Sequence, residues 1–182
     1  MSLKTIKTLN PRTGNFLAQE YVLSTPEELN EKVTDAQLAF MVYRKTSGNE
    51  RAILLETIAD EIEAVKEEIL SIATLETGLP AGRIQGETGR TLGQLRLFAE
   101  VAQEEFWVEA SIDTALPDRQ PLPKSDIRKC LVPLGPIAVF GASNFPLAFS
   151  TAGGDTASAL ASGNPVIVKA HNSHLGTHQC IC

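Results

Sequence analysis

A chain of 182 residues with 43% apolar and 21% charged residues is long enough to bury one core, so one soluble globular domain is the expectation. Its 16 Lys and Arg stand against 22 Asp and Glu, a formal charge of -6 with no basic run. That balance argues against nucleic acid as a partner, whose affinity comes from neutralised phosphates. No stretch approaches the roughly 18 apolar residues of a membrane span, and Met1-Ser2-Leu3-Lys4 opens no signal peptide. The odd count of Cys130, Cys180 and Cys182 also lacks a secretory context, so the reading is cytoplasmic, with no membrane partner and with reduced thiols.

Thr8 to Tyr21 alternates loosely around Asn10-Pro11 and Thr13-Gly14, which reads as two short extended segments about a turn in an N-terminal arm. Thr25-Pro26-Glu27-Glu28 is a helix start with Thr25 as N-cap, Pro26 at N1 and Glu28 at N3. Leu29, Val33, Ala36, Phe40 and Tyr43 then keep the helical period. Ser47-Gly48-Asn49-Glu50 repeats the punctuation before Leu54, Ile58, Ile62, Val65, Ile69 and Ile72, either one long helix or two broken near Glu63, stopped by Gly78 and Pro80. A further helix over 81–106 places Ile84, Thr88, Leu95, Phe98, Ala102 and Phe106 inward. Gly82, Gly86, Gly89 and Gly93 lie on one face of it, which points to a tight helix crossing or to a frayed helix. Pro117, Pro121 and Pro123 make 111–124 irregular, and Ile127 to Val132 reads as an edge strand.

The stretch from Cys130 to His171 carries the chemistry. Ile137-Ala138-Val139-Phe140 is an unbroken apolar run, as in a strand covered on both faces, and Gly141-Ala142-Ser143-Asn144 turns out of it. Pro146 suits the first turn of a helix over 147–162 that Gly163 ends, and Val166-Ile167-Val168 delivers Lys169 at the end of a second strand. A crossover of this kind places ligands at the carboxyl ends of its strands, where Asn144 and Lys169 both fall.

The order FGASNFPLAFSTAGGDTASALASGNPVIVKAH resembles the first half of the cofactor domain of aldehyde dehydrogenases. It is most similar to the branch that oxidises 2-oxoglutarate semialdehyde or long-chain aldehydes with NADP or NAD. Asn10-Pro11-Arg12-Thr13-Gly14, Arg51-Ala52-Ile53-Leu54-Leu55 and Glu76-Thr77-Gly78-Leu79-Pro80 carry the likeness upstream, and past Gly176-Thr177 it fades. The resemblance implies an α/β fold in which a helical layer precedes the beginning of a parallel Rossmann-type sheet, left incomplete. Residues 1–110 would be the arm and helices, 111–133 the Pro-rich linker with an oligomerisation strand, and 134–182 the first strand-helix-strand of the cofactor domain.

It also implies that the Asn144 amide is an oxyanion donor, and that Phe140, Gly141, Ala142, Ser143, Lys169, His171 and Asn172 line a NADP or NAD site. Asn172 stands where relatives often carry a ribose-binding glutamate, which removes repulsion toward a 2′-phosphate. Gly141-Ala142-Ser143 departs from the commoner spelling with proline and tryptophan, which leaves the aldehyde open. Intact relatives are homo-oligomers acting on small-molecule aldehydes. Their catalytic cysteine and general-base glutamate lie beyond the last residue of this chain, so the expectation is an enzyme portion inactive alone, with HQCIC a replaced ending. A non-catalytic nucleotide-binding or subunit-interaction module is the alternative.

Other motifs fail. Phe145 stands where a nucleophile elbow needs glycine, no G-x-G-x-x-G follows either strand, and the spacing of His171, His174, His178, Cys180 and Cys182 matches no zinc module, so no metal site is expected. Cys130, beside Leu131 and Val132, reads as a packed thiol.

Overall fold

The computed structural model describes residues 4–182. Two antiparallel ladders form the N-terminal arm. β1 (Thr5–Ile6) pairs with β4 (Tyr21–Val22), and β2 (Leu9–Asn10) pairs with β3 (Asn15–Phe16) around the expected Asn10 to Gly14 turn. Arg12 ties this arm to the helices, its guanidinium donating to the Gly78 carbonyl at 2.9 and 3.1 Å.

Both S/T-x-x-E signals are helix starts in the structure. Thr25 and Glu28 close a capping box on α1 (Pro26–Tyr43), and Ser47 and Glu50 close another on α2 (Gly48–Ala64). The long apolar pattern does break into two helices, at Val65, before α3 (Lys66–Thr77), and Gly78 ends α3 in the left-handed region at φ 69°. α4 (Ala81–Glu104) follows, and Phe106 falls outside it in a 3-10 turn, 69% exposed instead of inward-facing. Small and branched side chains of α2, α3 and α4, among them Ala52, Leu55, Ile69, Ile84, Leu95 and Ala99, make the core. The periodic face of α1 is mostly open: Ala36 and Phe40 are buried, but Leu29 and Val33 are exposed.

The glycine stripe of α4 is not a crossing. A Cβ placed on Gly82, Gly86, Gly89 or Gly93 would meet nothing within 4 Å, because that face of the helix turns away from the core. The close approach of α2 and α4 is at Gly48, where a Cβ would land on the Ala102 carbonyl oxygen. Gly86→Ala is therefore expected to leave thermal stability unchanged or raise it by up to about 1 kcal/mol through helix propensity. A loss above about 1 kcal/mol in urea unfolding would show that the stripe is packed after all.

Beyond α4, β5 (Ser111–Asp113) and β6 (Ile127–Lys129) form an antiparallel hairpin, so the edge strand ends at Lys129, three residues short of Val132. Cys130 follows it and is exposed, which corrects the packed-thiol reading: the hairpin stands off the core and its apolar neighbours Leu131 and Val132 are themselves exposed.

β7 (Ile137–Phe140) and β8 (Val166–Lys169) are parallel, in the register Ile137 opposite Val166 through Phe140 opposite Lys169. β7 is not covered on both faces. Val139 points into the core, while Ala138 and Phe140 are exposed. The helix expected over 147–162 is shorter, α5 (Gly154–Ala161), with Gly163 at φ 84° just after its cap. Residues 145–153 instead form successive turns, because the N–H groups of Leu147 and Ala148 point to the carboxylate of Glu87 on α4. The C-terminal residues are a helix, α6 (Leu175–Ile181), packed on α3, rather than a tail. Its first turn is buried: Gly176 and Thr177 donate their N–H groups to Glu76, as does the Thr177 hydroxyl.

Candidate functional site

The parallel ladder brings the two strand ends together. Phe140 is opposite Lys169, and the Gly141 N–H extends the pairing to the Lys169 carbonyl at 3.1 Å. Gly141 has to be small there, since a Cβ would sit 2.9 Å from Ser150 Oγ and 3.3 Å from the His171 nitrogen. From this point the chain folds back: the Ala142 N–H donates to the Phe149 carbonyl at 2.9 Å, and Ser143 and Asn144 project as the exposed tip of the turn. Among the described residues no side-chain hydrogen bond engages Asn144, so its amide is not spent on its own turn and can donate outward.

On the second strand, the Lys169 ammonium is exposed and donates to the Asn172 Oδ1 at 3.2 Å. His171 Nδ1 accepts from the Ser173 N–H, and its ring stacks on that of His174 with centroids 5.5 Å apart. Partial burial, then the neighbouring His174 and the Lys169 cation, hold the His171 imidazole below its ordinary pKa. It is therefore neutral at pH 7.

All eight residues singled out in the sequence lie in these two segments. Phe140, Gly141, Ala142, Ser143 and Asn144 leave β7, and Lys169, His171 and Asn172 leave β8. The fit to a dinucleotide is chemical: an exposed cation, a neutral amide at 172, and a glycine that lets the two chains meet at the strand ends. The thiols lie on other elements, Cys130 after β6 and Cys180 and Cys182 at the end of α6. Cys180 is pushed up to about 11, by burial first and then by its contact with the Glu68 carboxylate, so it stays a thiol at neutral pH. Among the described residues no three His, Cys, Asp or Glu side chains gather as metal ligands would.

Sequence reasoning missed the residues that support the turn. Glu87, 4% exposed, pairs with Arg83 at 2.9 Å and accepts from Leu147 and Ala148, and Arg83 lies over the Phe145 ring, 4.7 Å from its centroid. His174, fully buried, donates from Nε2 to the Ala142 carbonyl at 2.8 Å. A signal was present for Glu87: it falls in helical phase with Ile84, Thr91 and Leu95, a charge on a buried stripe.

The aldehyde dehydrogenase family model matches residues 1–181 of this chain. The chain belongs to the aldehyde dehydrogenase family. The match runs past Gly176-Thr177, beyond which no resemblance was expected, to within one residue of the end. Among curated relatives, alpha-ketoglutaric semialdehyde dehydrogenase 2 of Azospirillum brasilense is 51% identical over 99% of this chain. Alpha-ketoglutaric semialdehyde dehydrogenase of Acinetobacter baylyi is 46% identical over 97%. The chain spans only 34% of the length of either. Among solved structures, an aldehyde dehydrogenase from Brucella melitensis biovar abortus 2308 superposes with a TM-score of 0.82 at 26% identity. It is matched over 98% of this chain and 35% of its own. Succinate-semialdehyde dehydrogenase from Burkholderia pseudomallei gives 0.80 at 26% identity, with the same coverage. The helical layer and two-stranded parallel start of a sheet are thus part of an aldehyde dehydrogenase fold.

Proposed function

We propose that this chain supplies the oxyanion-holding and cofactor-binding edge of an enzyme that oxidises an aldehyde to the carboxylic acid with NADP or NAD. The observation that carries the reading is the ladder register, Phe140 opposite Lys169, which sets the Asn144 turn and the Lys169 ammonium at one end of one sheet. The relatives' names favour a semialdehyde such as 2-oxoglutarate semialdehyde over a fatty aldehyde as substrate.

In this reading Asn144 donates its amide N–H to the carbonyl oxygen as charge develops there, and losing one such donor costs about 10²- to 10³-fold in rate. Lys169 and Asn172 hold the adenosine ribose, with Phe140, Gly141, Ala142, Ser143 and His171 lining the approach. When bound, the cofactor supplies the hydride acceptor. Asn172, unlike a glutamate, leaves room for a 2′-phosphate beside Lys169, so NADP is favoured. The thiolate nucleophile and the general base come from other parts of the enzyme, and the exposed apolar residues Ile112 and Ile127 of the β5–β6 hairpin serve subunit pairing. In domain terms, 1–110 is the arm and helical layer, 111–133 the linker and hairpin, and 134–182 the opening of the cofactor domain.

Titrating the chain with NADP+ and NAD+, and following NADPH formation with 2-oxoglutarate semialdehyde present, tests this division of labour. The expected result is NADP+ binding without turnover, and a preference that moves toward NAD+ in Asn172→Glu. Turnover by the chain alone would overturn the placement of nucleophile and base elsewhere, and absence of nucleotide binding would overturn the site. Binding in which aldehyde never promotes hydride transfer, even in the intact enzyme, would make this a nucleotide-binding module.

A further inference from the structure

Asn144 sits on an exposed turn, and an exposed turn does not hold an amide in a fixed direction. An oxyanion donor works through preorganisation, so something must fix its backbone. Two buried ionisable side chains touch that backbone on either side of Asn144 in the chain. Building on the reading of Asn144 as oxyanion donor, we infer that Glu87 and His174 are positioning residues that clamp its turn.

Glu87 acts after Asn144. One carboxylate oxygen accepts from the Leu147 and Ala148 N–H groups at 3.3 and 3.4 Å, and both of those residues are buried, so without Glu87 the two donors have no acceptor. The other oxygen holds Arg83 at 2.9 Å, and that guanidinium covers Phe145, the residue next to Asn144. Phe145 meets Phe149 edge to face at 5.2 Å, which closes the turn on itself. One carboxylate thereby fixes both the backbone beyond the turn and the aromatic ring at its shoulder.

His174 acts before Asn144. Its Nε2 donates to the Ala142 carbonyl, which requires a proton on Nε2, and Nδ1 is buried with no partner among the described residues. A buried imidazole with one unsatisfied nitrogen costs stability, and a purely apolar ring would avoid that cost. What the histidine gains is a link: it belongs to the segment that carries Lys169, His171 and Asn172, so the bond joins the oxyanion turn to the cofactor lysine and sets their separation. α6 begins at the next residue and is anchored by Glu76, which keeps His174 itself from drifting.

The test is amide hydrogen exchange and 15N relaxation on the chain with Glu87→Leu, Glu87→Gln, His174→Phe and His174→Gln. In Glu87→Leu the Leu147 and Ala148 amides should exchange at least about tenfold faster, with Leu55 and Ile69 in the core unchanged. Glu87→Gln keeps an acceptor for those amides but turns its NH2 toward Arg83, so it should protect Leu147 and Ala148 while freeing the Phe145 ring and the Asn144 amide. His174→Gln, which can still donate to Ala142, should restore the order of the Asn144 side chain that His174→Phe loses. Should the apolar variants fail to fold, the two Gln variants decide.

Protection falling uniformly through the core, or an Asn144 amide equally ordered in every folded variant, would overturn the clamp. NADP+-induced shifts at Lys169 and Asn172 report the cofactor site separately. Their absence alongside a loosened turn would sink the site reading and leave the clamp standing.

Discussion

Glu76→Leu is expected to destabilise the chain by about 3 to 5 kcal/mol and to release α6 first. The Glu76 side chain, 2% exposed, accepts the Gly176 N–H at 2.7 Å, the Thr177 N–H at 2.8 Å and the Thr177 hydroxyl at 2.9 Å. These are the orphan donors of a helix start, and no side chain of α6 caps them. Leucine fills the space but leaves three donors buried without an acceptor, each worth roughly 1 to 3 kcal/mol. Unfolding in urea should show the lower midpoint, and amide exchange should show the α6 amides losing protection before those of α2. Glu76→Gln keeps one acceptor and should fall between. A midpoint in Glu76→Leu within error of the wild type would mean that solvent already reaches the start of α6.

The second large effect is at the crossing of α2 and α4. Gly48→Val should cost about 3 kcal/mol or more, the upper end of overpacking penalties, because the new atoms meet a backbone carbonyl that cannot rotate away. The Cβ would clash with the Ala102 oxygen and lie 2.9 Å from a carboxylate oxygen of Glu105, which the Gly48 N–H now engages at 3.0 Å. Relief requires moving the start of α2 off α4, which breaks that hydrogen bond and opens the core around Ala52 and Ala102. A thermal midpoint lower by roughly 6 °C or more in the variant is expected. Unchanged stability would show that the two helices separate at little cost.

These two sites also mark where sequence reading stops. Capping boxes are local, so Thr25 with Glu28 and Ser47 with Glu50 located two helix starts to the residue. The two strands β7 and β8 were legible as apolar runs bounded by turn residues, whereas the break before α3, left open between one helix and two, carries no capping side chain to announce it. The start of α5 was not legible either, because residues 147–152 are compatible with helix until Glu87, distant in sequence, takes up the Leu147 and Ala148 amides. The glycine stripe misled because composition says that a face is small without saying whether anything lies against it.

Asn144 and Lys169 stand out in the sequence because both fall at strand ends, where a crossover fold places ligands, and because the family resemblance gives each a role. Their supports could not be assigned in the same way. Glu76 and Glu87 look like any helix carboxylate unless their phase with the buried stripe is noticed, Glu76 following Ile69 and Ala73 just as Glu87 follows Ile84. His174 gave no signal in its spacing, since its partner is a backbone carbonyl on another strand's turn.

If the carboxyl ends of β7 and β8 form one cofactor-binding edge, as proposed, the NADP+ affinity of Lys169→Met beside the wild type should reveal it. Lys169 is exposed and its side-chain hydrogen bond is to Asn172, so the variant should fold as the wild type does. Loss of a charge-assisted contact to the adenosine ribose or its phosphate should weaken binding by about tenfold or more. Equal affinity in the two proteins would place the nucleotide elsewhere than this edge.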